Sequence, residues 1–229
     1  MLKQGRALSR RLLTGLAGWA VLTLPIAAAA ATNASLDQVT LQLKWRHQFQ
    51  FAGYYAAVEQ GYYREAGLDV TLREAAPARN PVEAVFAGEA EFGVGNSDLV
   101  LSRAERRPAV VLAAIFQNSP LVLVARAGIG ITAMQNLHDR PMMMVESEKA
   151  EILAYFKHEG VDLKGLRIQP HTQRIADFIE GRVDAMSAYV TDQPFELKQA
   201  GVDYLLFSPR AGGIDFYGDN LFTTTQQVR

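Results

Sequence analysis

The chain has 229 residues, 49% of them apolar and 21% charged, enough to bury a core in one large or two small globular units. Its formal net charge is −1, but Lys3, Arg6, Arg10 and Arg11 all precede the first acid, Asp37, so the chain beyond residue 31 carries 19 bases against 24 acids. That acid excess argues against a sequence-independent binder of phosphate backbones. The absence of cysteine excludes disulfides, thiolate metal sites and a cysteine nucleophile.

Residues 1–31 read as an export signal: four positive charges, then an uncharged apolar run, then alanines that offer small-residue cleavage sites. A retained membrane anchor is the competing reading, because about 20 apolar residues can span a bilayer. The run Ser9-Arg10-Arg11-Leu12-Leu13 resembles a twin-arginine signal. An exported, cysteine-free chain is expected in a bacterial periplasm.

Beyond the signal, Val39, Leu41, Leu43 and Trp45 alternate with polar residues and predict a strand running to Trp45. A helix is expected over 54–65, closed by Gly67, then a strand over 68–72 and a helix over 81–87 capped by Asn80. A strand over 92–94 and a helix over 98–106 follow. Two apolar strands, 110–116 and 121–124, flank the turn Gln117-Asn118-Ser119-Pro120. The rhythm resumes after Gly128-Ile129-Gly130, with strands over 142–145, 166–168, 185–189 and 204–207 and helices over 148–158, 175–180 and 193–200. Alternating strands and helices predict parallel sheets that bind ligands at the carboxyl ends of their strands.

Residues 85–93 (VFAGEAEFG) echo residues 178–186 (FIEGRVDAM): a helix end, a Gly suited to the left-handed cap, an apolar residue, an acid, then a strand. Each strand runs into a polar turn that starts a helix, Gly95-Asn96-Ser97-Asp98 in one and Tyr189-Val190-Thr191-Asp192-Gln193 in the other. Two matching halves predict two lobes around a cleft: residues 36–120 plus 219–229 in the first, 124–212 in the second, with hinge strands near 121–124 and 213–217.

The segment Leu43-Lys44-Trp45-Arg46-His47-Gln48-Phe49-Gln50-Phe51-Ala52-Gly53-Tyr54-Tyr55 holds five aromatic rings and two glutamines where a strand meets a helix. Leu43 and Phe51 suit a core, whereas buried amides such as Gln48 and Gln50 need partners. The candidate ligand contacts are Trp45, Gln48, Tyr54, Asn96, Ser97 and Asp98 from the first lobe, with Tyr189, Asp192 and Tyr217 from the second. A carboxylate at the cleft would accept paired N–H donors of an amino-substituted heterocycle, and the rings would stack on its faces. His47, His138, His158 and His171 are dispersed without metal-ligand spacing and are expected mostly at the surface. Gly93-Val94-Gly95 is too short for a dinucleotide fingerprint, and no phosphate-loop or nucleophile-elbow pattern occurs. Glu146-Ser147-Glu148-Lys149 is expected to open a helix, with Glu146 able to face the cleft, and Met142-Met143-Met144 to be buried strand.

These motifs together, LKWRHQFQFAGYYAA, GYYREAGLDV, GEAEFGVGNSD, AIFQNSP, DAMSAYVTDQP and GIDFYGDNLFTT, resemble the thiamine-pyrimidine synthase-like family of type II periplasmic binding proteins. The resemblance covers residues 39–225. It implies a two-lobed α/β type II periplasmic-binding-protein fold, with a parallel-type sheet in each lobe, here lacking the C-terminal helices that family members usually carry. It also implies a periplasmic solute-binding protein that captures a thiamine-pyrimidine precursor or similar flat heterocycle for an ABC permease of the inner membrane. Very similar segments form the sensor regions of histidine kinases and diguanylate cyclases, so fused signalling domains are the alternative partners. The family's synthase branch holds pyridoxal phosphate on a lysine, with a donor histidine nearby, in the turn after the third strand. Residues 93–99 contain neither, and the synthase's cysteine-rich segment has no counterpart. The expectation is therefore binding without catalysis, with no cofactor, no metal and no nucleic acid.

Overall fold

The computed structural model describes residues 35–76 and 80–228. The expected export signal over 1–31 lies outside the described residues. In the first lobe, β1 (Asp37–Gln42) leads into the helices α1 (Ala52–Glu59) and α2 (Tyr62–Glu65), then β2 (Leu68–Arg73), α3 (Pro81–Phe86), β3 (Phe92–Gly95), α4 (Leu99–Ala104) and β4 (Ala109–Phe116). The chain crosses at 117–120 into β5 (Leu121–Arg126), β6 (Pro141–Met144), α5 (Glu146–His158), β7 (Arg167–Pro170), α6 (Ala176–Ile179), β8 (Ala185–Tyr189), α7 (Gln193–Gln199) and β9 (Tyr204–Phe207). It returns along irregular turns over 208–217 to β10 (Gly218–Thr224).

Two five-stranded sheets result, ordered β2-β1-β3-β10-β4 and β7-β6-β8-β5-β9. They are equivalent position by position, so the sequence echo marks a repeated unit: β3 and β8 each hold the centre of a sheet. Gly88 (φ 73°) and Gly181 (φ 75°) each take the left-handed conformation after the helix that precedes the central strand. The sheets differ from the parallel expectation in one respect. β10 runs antiparallel to both β3 and β4, and β5 runs antiparallel to both β8 and β9. Each antiparallel strand is the one that has just crossed from the other lobe, so it enters its sheet from the cleft end while the βαβ strands run toward it.

Packing follows from strand alternation. Every residue from Leu121 to Ala125 is buried. Leu121, Leu123 and Ala125 feed one core cluster, whereas Val122 and Val124 feed another on the opposite face. Met142 and Met144 join the first, Met143 the second, so the methionine run is buried strand as expected. In the first lobe Leu43, Trp45 and Phe51 pack with Leu41 and Val94.

Local boundaries moved where a loop or a turn intervened. β1 ends at Gln42, but Leu43 N donates to the Arg73 carbonyl (2.8 Å) and Ala75 N to the Trp45 carbonyl (3.1 Å), so the segment stays extended to Trp45. The single helix expected over 54–65 is two, broken at Gly61 (φ 78°). Asn80 caps α3 as predicted, its Oδ1 accepting from Val82 N at 2.8 Å.

Candidate ligand-binding site

The extended segment after β1 decides the centre of the cleft. Leu43 and Trp45 turn into the core, and Lys44 between them points to the opposite side. Its side chain is 3% exposed, and Nζ donates to Asn96 Oδ1 (2.5 Å), pairs with Asp219 Oδ1 (2.5 Å) and contacts the Tyr189 hydroxyl. The Tyr189 hydroxyl donates in turn to Asp219 Oδ1 at 2.9 Å, and Lys44 Nζ lies 4.3 Å from the centre of the Tyr189 ring. Lys44, Asn96 and Asp219 belong to the first lobe and Tyr189 to the second, so one buried polar box joins the lobes. Burial, reinforced by Asp219, pushes the Tyr189 hydroxyl well above its ordinary value, which keeps it a neutral donor.

The second lobe contributes the start of α5 and the end of β8. Asn96 Nδ2 donates across the cleft to the Ser147 carbonyl (3.3 Å) and Oγ (3.2 Å). Ser187 Oγ accepts from Val145 N (3.1 Å) and donates to Glu148 Oε2 (2.8 Å). Burial raises the Glu148 carboxyl, with Lys44 pulling the other way. Gln48 Nε2 donates to Asp192 Oδ2 across the cleft at 2.7 Å, and Gln193 Nε2 donates to the same oxygen at 2.5 Å. Lys44, Gln48, Glu148, Ser187, Asp192 and Gln193, with Trp45, Gln50 and Tyr189, line a cavity of about 20 Å³, room for about one water. Larger pockets adjoin it, about 340 Å³ beyond Gln48 and Asp192 and about 200 Å³ between Lys44 and His171.

Of the residues singled out from sequence, Trp45, Gln48, Tyr189 and Asp192 line the inner cavity, and Asn96 holds its lysine. The polar residues of the two turns close no helix cap: neither Asp98 nor Asp192 accepts a capping hydrogen bond, and Asp192 serves Gln48 and Gln193 instead. Tyr54 sits against the core of the first lobe with its buried hydroxyl unpartnered. Ser97 Oγ donates to the Tyr217 carbonyl (2.8 Å), while the Tyr217 side chain is at the surface, 56% exposed. Asp98 borders a different cavity, and burial lifts its carboxyl to about 6. Glu146 is exposed beside Lys149 and, as expected, faces the cleft, lining the 200 Å³ pocket with Lys44 and His171, while the next two residues, Ser147 and Glu148, are buried.

Lys44, Asp219, Glu148 and Ser187 escaped the sequence reading. The available signal was a lone cation inside an alternating apolar segment. His171 also departs from its surface expectation: it is buried edge-on to Trp45, ring centres 5.3 Å apart, and desolvation drives it down to about 4. The turn after β3 lacks a lysine, as its sequence shows, yet the neighbouring segment brings Lys44 to Asn96. Among the described residues no group of three or more His, Asp or Glu is placed to hold a metal, and no helix is long and apolar enough to cross a membrane.

Two α/β lobes, crossed twice by the chain and meeting in a polar cleft, define the type II fold of periplasmic solute-binding proteins. The alkanesulfonate-binding protein SsuA from Xanthomonas axonopodis pv. citri, solved with MOPS, shares it with a TM-score of 0.63 at 14% identity, over 82% of this chain and 66% of that one. The chain belongs to the NMT1/THI5 like family, whose model matches residues 48–229. It is 27% identical over 187 residues to the riboflavin-binding protein RibY of Chloroflexus aurantiacus, covering 77% of this chain and 53% of that protein. It is 23% identical over 206 residues to the formylaminopyrimidine-binding protein of Halalkalibacterium halodurans, covering 83% and 59%. The chain thus spans little more than half the length of these curated relatives.

Proposed function

We propose that this chain captures a flat, nitrogen-rich heterocycle, a thiamine-pyrimidine precursor or a similar ring system, between its lobes and delivers it to an ABC permease after export to the periplasm. The observation that carries the reading is the convergence of both lobes on one buried polar site flanked by rings. Trp45 and Tyr189 put aromatic surface on the cavity wall, and Glu148 and Asp192 offer carboxylates to N–H donors. Gln48 and Gln193 already donate to Asp192, and a bound amino group would replace them. Closure of the lobes around the ring would bury it. The strand expected as a hinge at 121–124 is instead paired inside the second lobe's sheet as part of β5. The hinge would therefore fall on the crossing at 117–120 and on the return over 208–217, which includes the expected 213–217. The riboflavin- and formylaminopyrimidine-binding relatives support this ligand class. Their function as binding proteins supports capture without catalysis.

The test is a thermal-shift screen of aminopyrimidines, riboflavin and alkanesulfonates, followed by calorimetry on whatever raises the melting temperature. A ligand present at 100 times its dissociation constant stabilises by about 2.7 kcal/mol. A response to alkanesulfonates alone, or to none of the three classes, would refute the heterocycle reading. Incubation with pyridoxal phosphate separates binding from synthase chemistry: a chain that only binds develops no Schiff-base absorbance at Lys44.

A further inference from the structure

The inner cavity has one wall that is also the floor of another pocket. Gln48, Gln50 and Asp192 line both the 20 Å³ space beside Trp45 and Tyr189 and the 340 Å³ space outside it. The larger volume falls within the roughly 300–1,000 Å³ range of ligand pockets, and the smaller holds no ring. What separates them is a hydrogen bond across the cleft, Gln48 Nε2 to Asp192 Oδ2 at 2.7 Å, between side chains that are not deeply buried. Beyond that bond the outer pocket is walled by two phenylalanine rings, Phe49 and Phe116, with Thr191.

The two rings have different status. Phe116 is half-buried at the end of β4 and its ring lies 6.5 Å from that of Tyr189, so aromatic surface runs from the outer pocket to the inner box. Phe49 is 91% exposed, the most exposed large apolar side chain among the described residues. It sits in the short 3-10 turn at Phe49–Phe51, between two glutamines that face the cleft. Phe51, two residues on, is fully buried and anchors that turn to the core. The backbone that carries Phe49 is therefore held while its ring stands free at the mouth. An isolated exposed phenylalanine needs no explanation. One held at the rim of a ligand-sized pocket that a second phenylalanine and a paired amide and carboxylate also line has the makeup of a stacking site.

We propose that Phe49 and Phe116 form an outer aromatic subsite that selects for ligand length: a fused, multi-ring heterocycle reaches it, and a single ring does not. The inference rests on the heterocycle-binding reading above and adds the size class of the ligand. The Gln48–Asp192 pair parts so that the two volumes merge, the leading ring then lies against the inner box, and Phe49 covers the distal ring. Gln48 and Asp192 then contact polar edges of the ligand instead of each other.

The experiment compares two probes on the full chain: riboflavin, with three fused rings, and 4-amino-5-hydroxymethyl-2-methylpyrimidine, with one. Phe49→Ala is expected to weaken riboflavin binding at least tenfold, read by flavin fluorescence quenching. The same variant should change affinity for the pyrimidine by less than twofold, read by calorimetry. Phe49→Trp should retain riboflavin affinity. Because Phe49 is exposed, its replacement leaves the fold intact, and an unchanged melting temperature verifies this. Equal weakening of both probes by Phe49→Ala, or no weakening of riboflavin, would overturn the proposal. Wild-type binding of the pyrimidine but not riboflavin would overturn it too while leaving the broader reading standing. Binding of neither probe by the wild type would remove both.

Discussion

Lys44→Met probes the polar box most directly. The substitution keeps most of the side-chain volume and removes the ammonium. It deletes the Asp219 pair (2.5 Å), the hydrogen bond to Asn96 (2.5 Å) and the contact with Tyr189. Removing one partner of a buried ion pair typically costs roughly 3–5 kcal/mol, because the other charge stays buried without compensation. Here Asp219 keeps the Tyr189 hydroxyl at 2.9 Å and a long contact from Gln50 Nε2 at 3.4 Å. The loss should therefore lie at the low end, about 3 kcal/mol. For a domain of this size that is a fall of roughly 6–12 °C in melting temperature, at about 2–4 °C per kcal/mol. Asp219 adopts φ 47°, a conformation that Asn also tolerates, so Asp219→Asn removes the charge without adding backbone strain. Urea unfolding of wild type, both single variants and the double variant completes the cycle. The double variant should lose at least about 1 kcal/mol less than the sum of the singles, since it strands no charge. Additive losses, or a Lys44→Met cost below about 1 kcal/mol, would show that the pair is not the buried, coupled unit described here.

Three further outcomes can be checked. Burial raises the Glu151 carboxyl to about 7 from an ordinary 4.5, with Glu148 and Asp215 adding to the shift and Ser119 and Lys44 opposing it. The unfolded chain then releases this proton first, so stability falls as pH rises from about 4.5 to 7. Glu151→Gln should match wild type near pH 4 and exceed it at pH 8 in melting temperature, and parallel pH profiles would refute this. A Cβ at Gly93 would lie 2.6 Å from Phe222 Cε1 and 2.8 Å from Val85 Cγ2, so Gly93→Ala should cost about 1–3 kcal/mol in denaturant unfolding. Within the proposed site, Asp192→Ala should weaken an aminopyrimidine about tenfold by calorimetry, the value of one charge-assisted hydrogen bond. Tyr217→Ala should leave affinity unchanged, because that residue lines neither the inner nor the outer pocket.

The βαβ elements and the repeat were readable because helix and strand periodicity, Gly caps and polar turns are encoded by near neighbours. Leu43 and Phe51 declared themselves as core by that pattern, and Gln48 and Gln50 as cleft by their need for partners. Tyr217 lines neither pocket because the return crossing is irregular, and periodicity says nothing about where such a segment points its rings. Lys44 was hidden for a different reason. Its role depends on Asn96, Asp219 and Tyr189, and Tyr189 lies 145 positions away on the other lobe.

By itself, then, the sequence determined two α/β units, their family likeness and the strand-end turns from which a ligand site would be built. The tertiary structure decided the strand directions at each crossing, because alternation is the same for parallel and antiparallel pairing. It also decided which polar side chains meet, because a buried charge is tolerable only where distant partners converge to satisfy it.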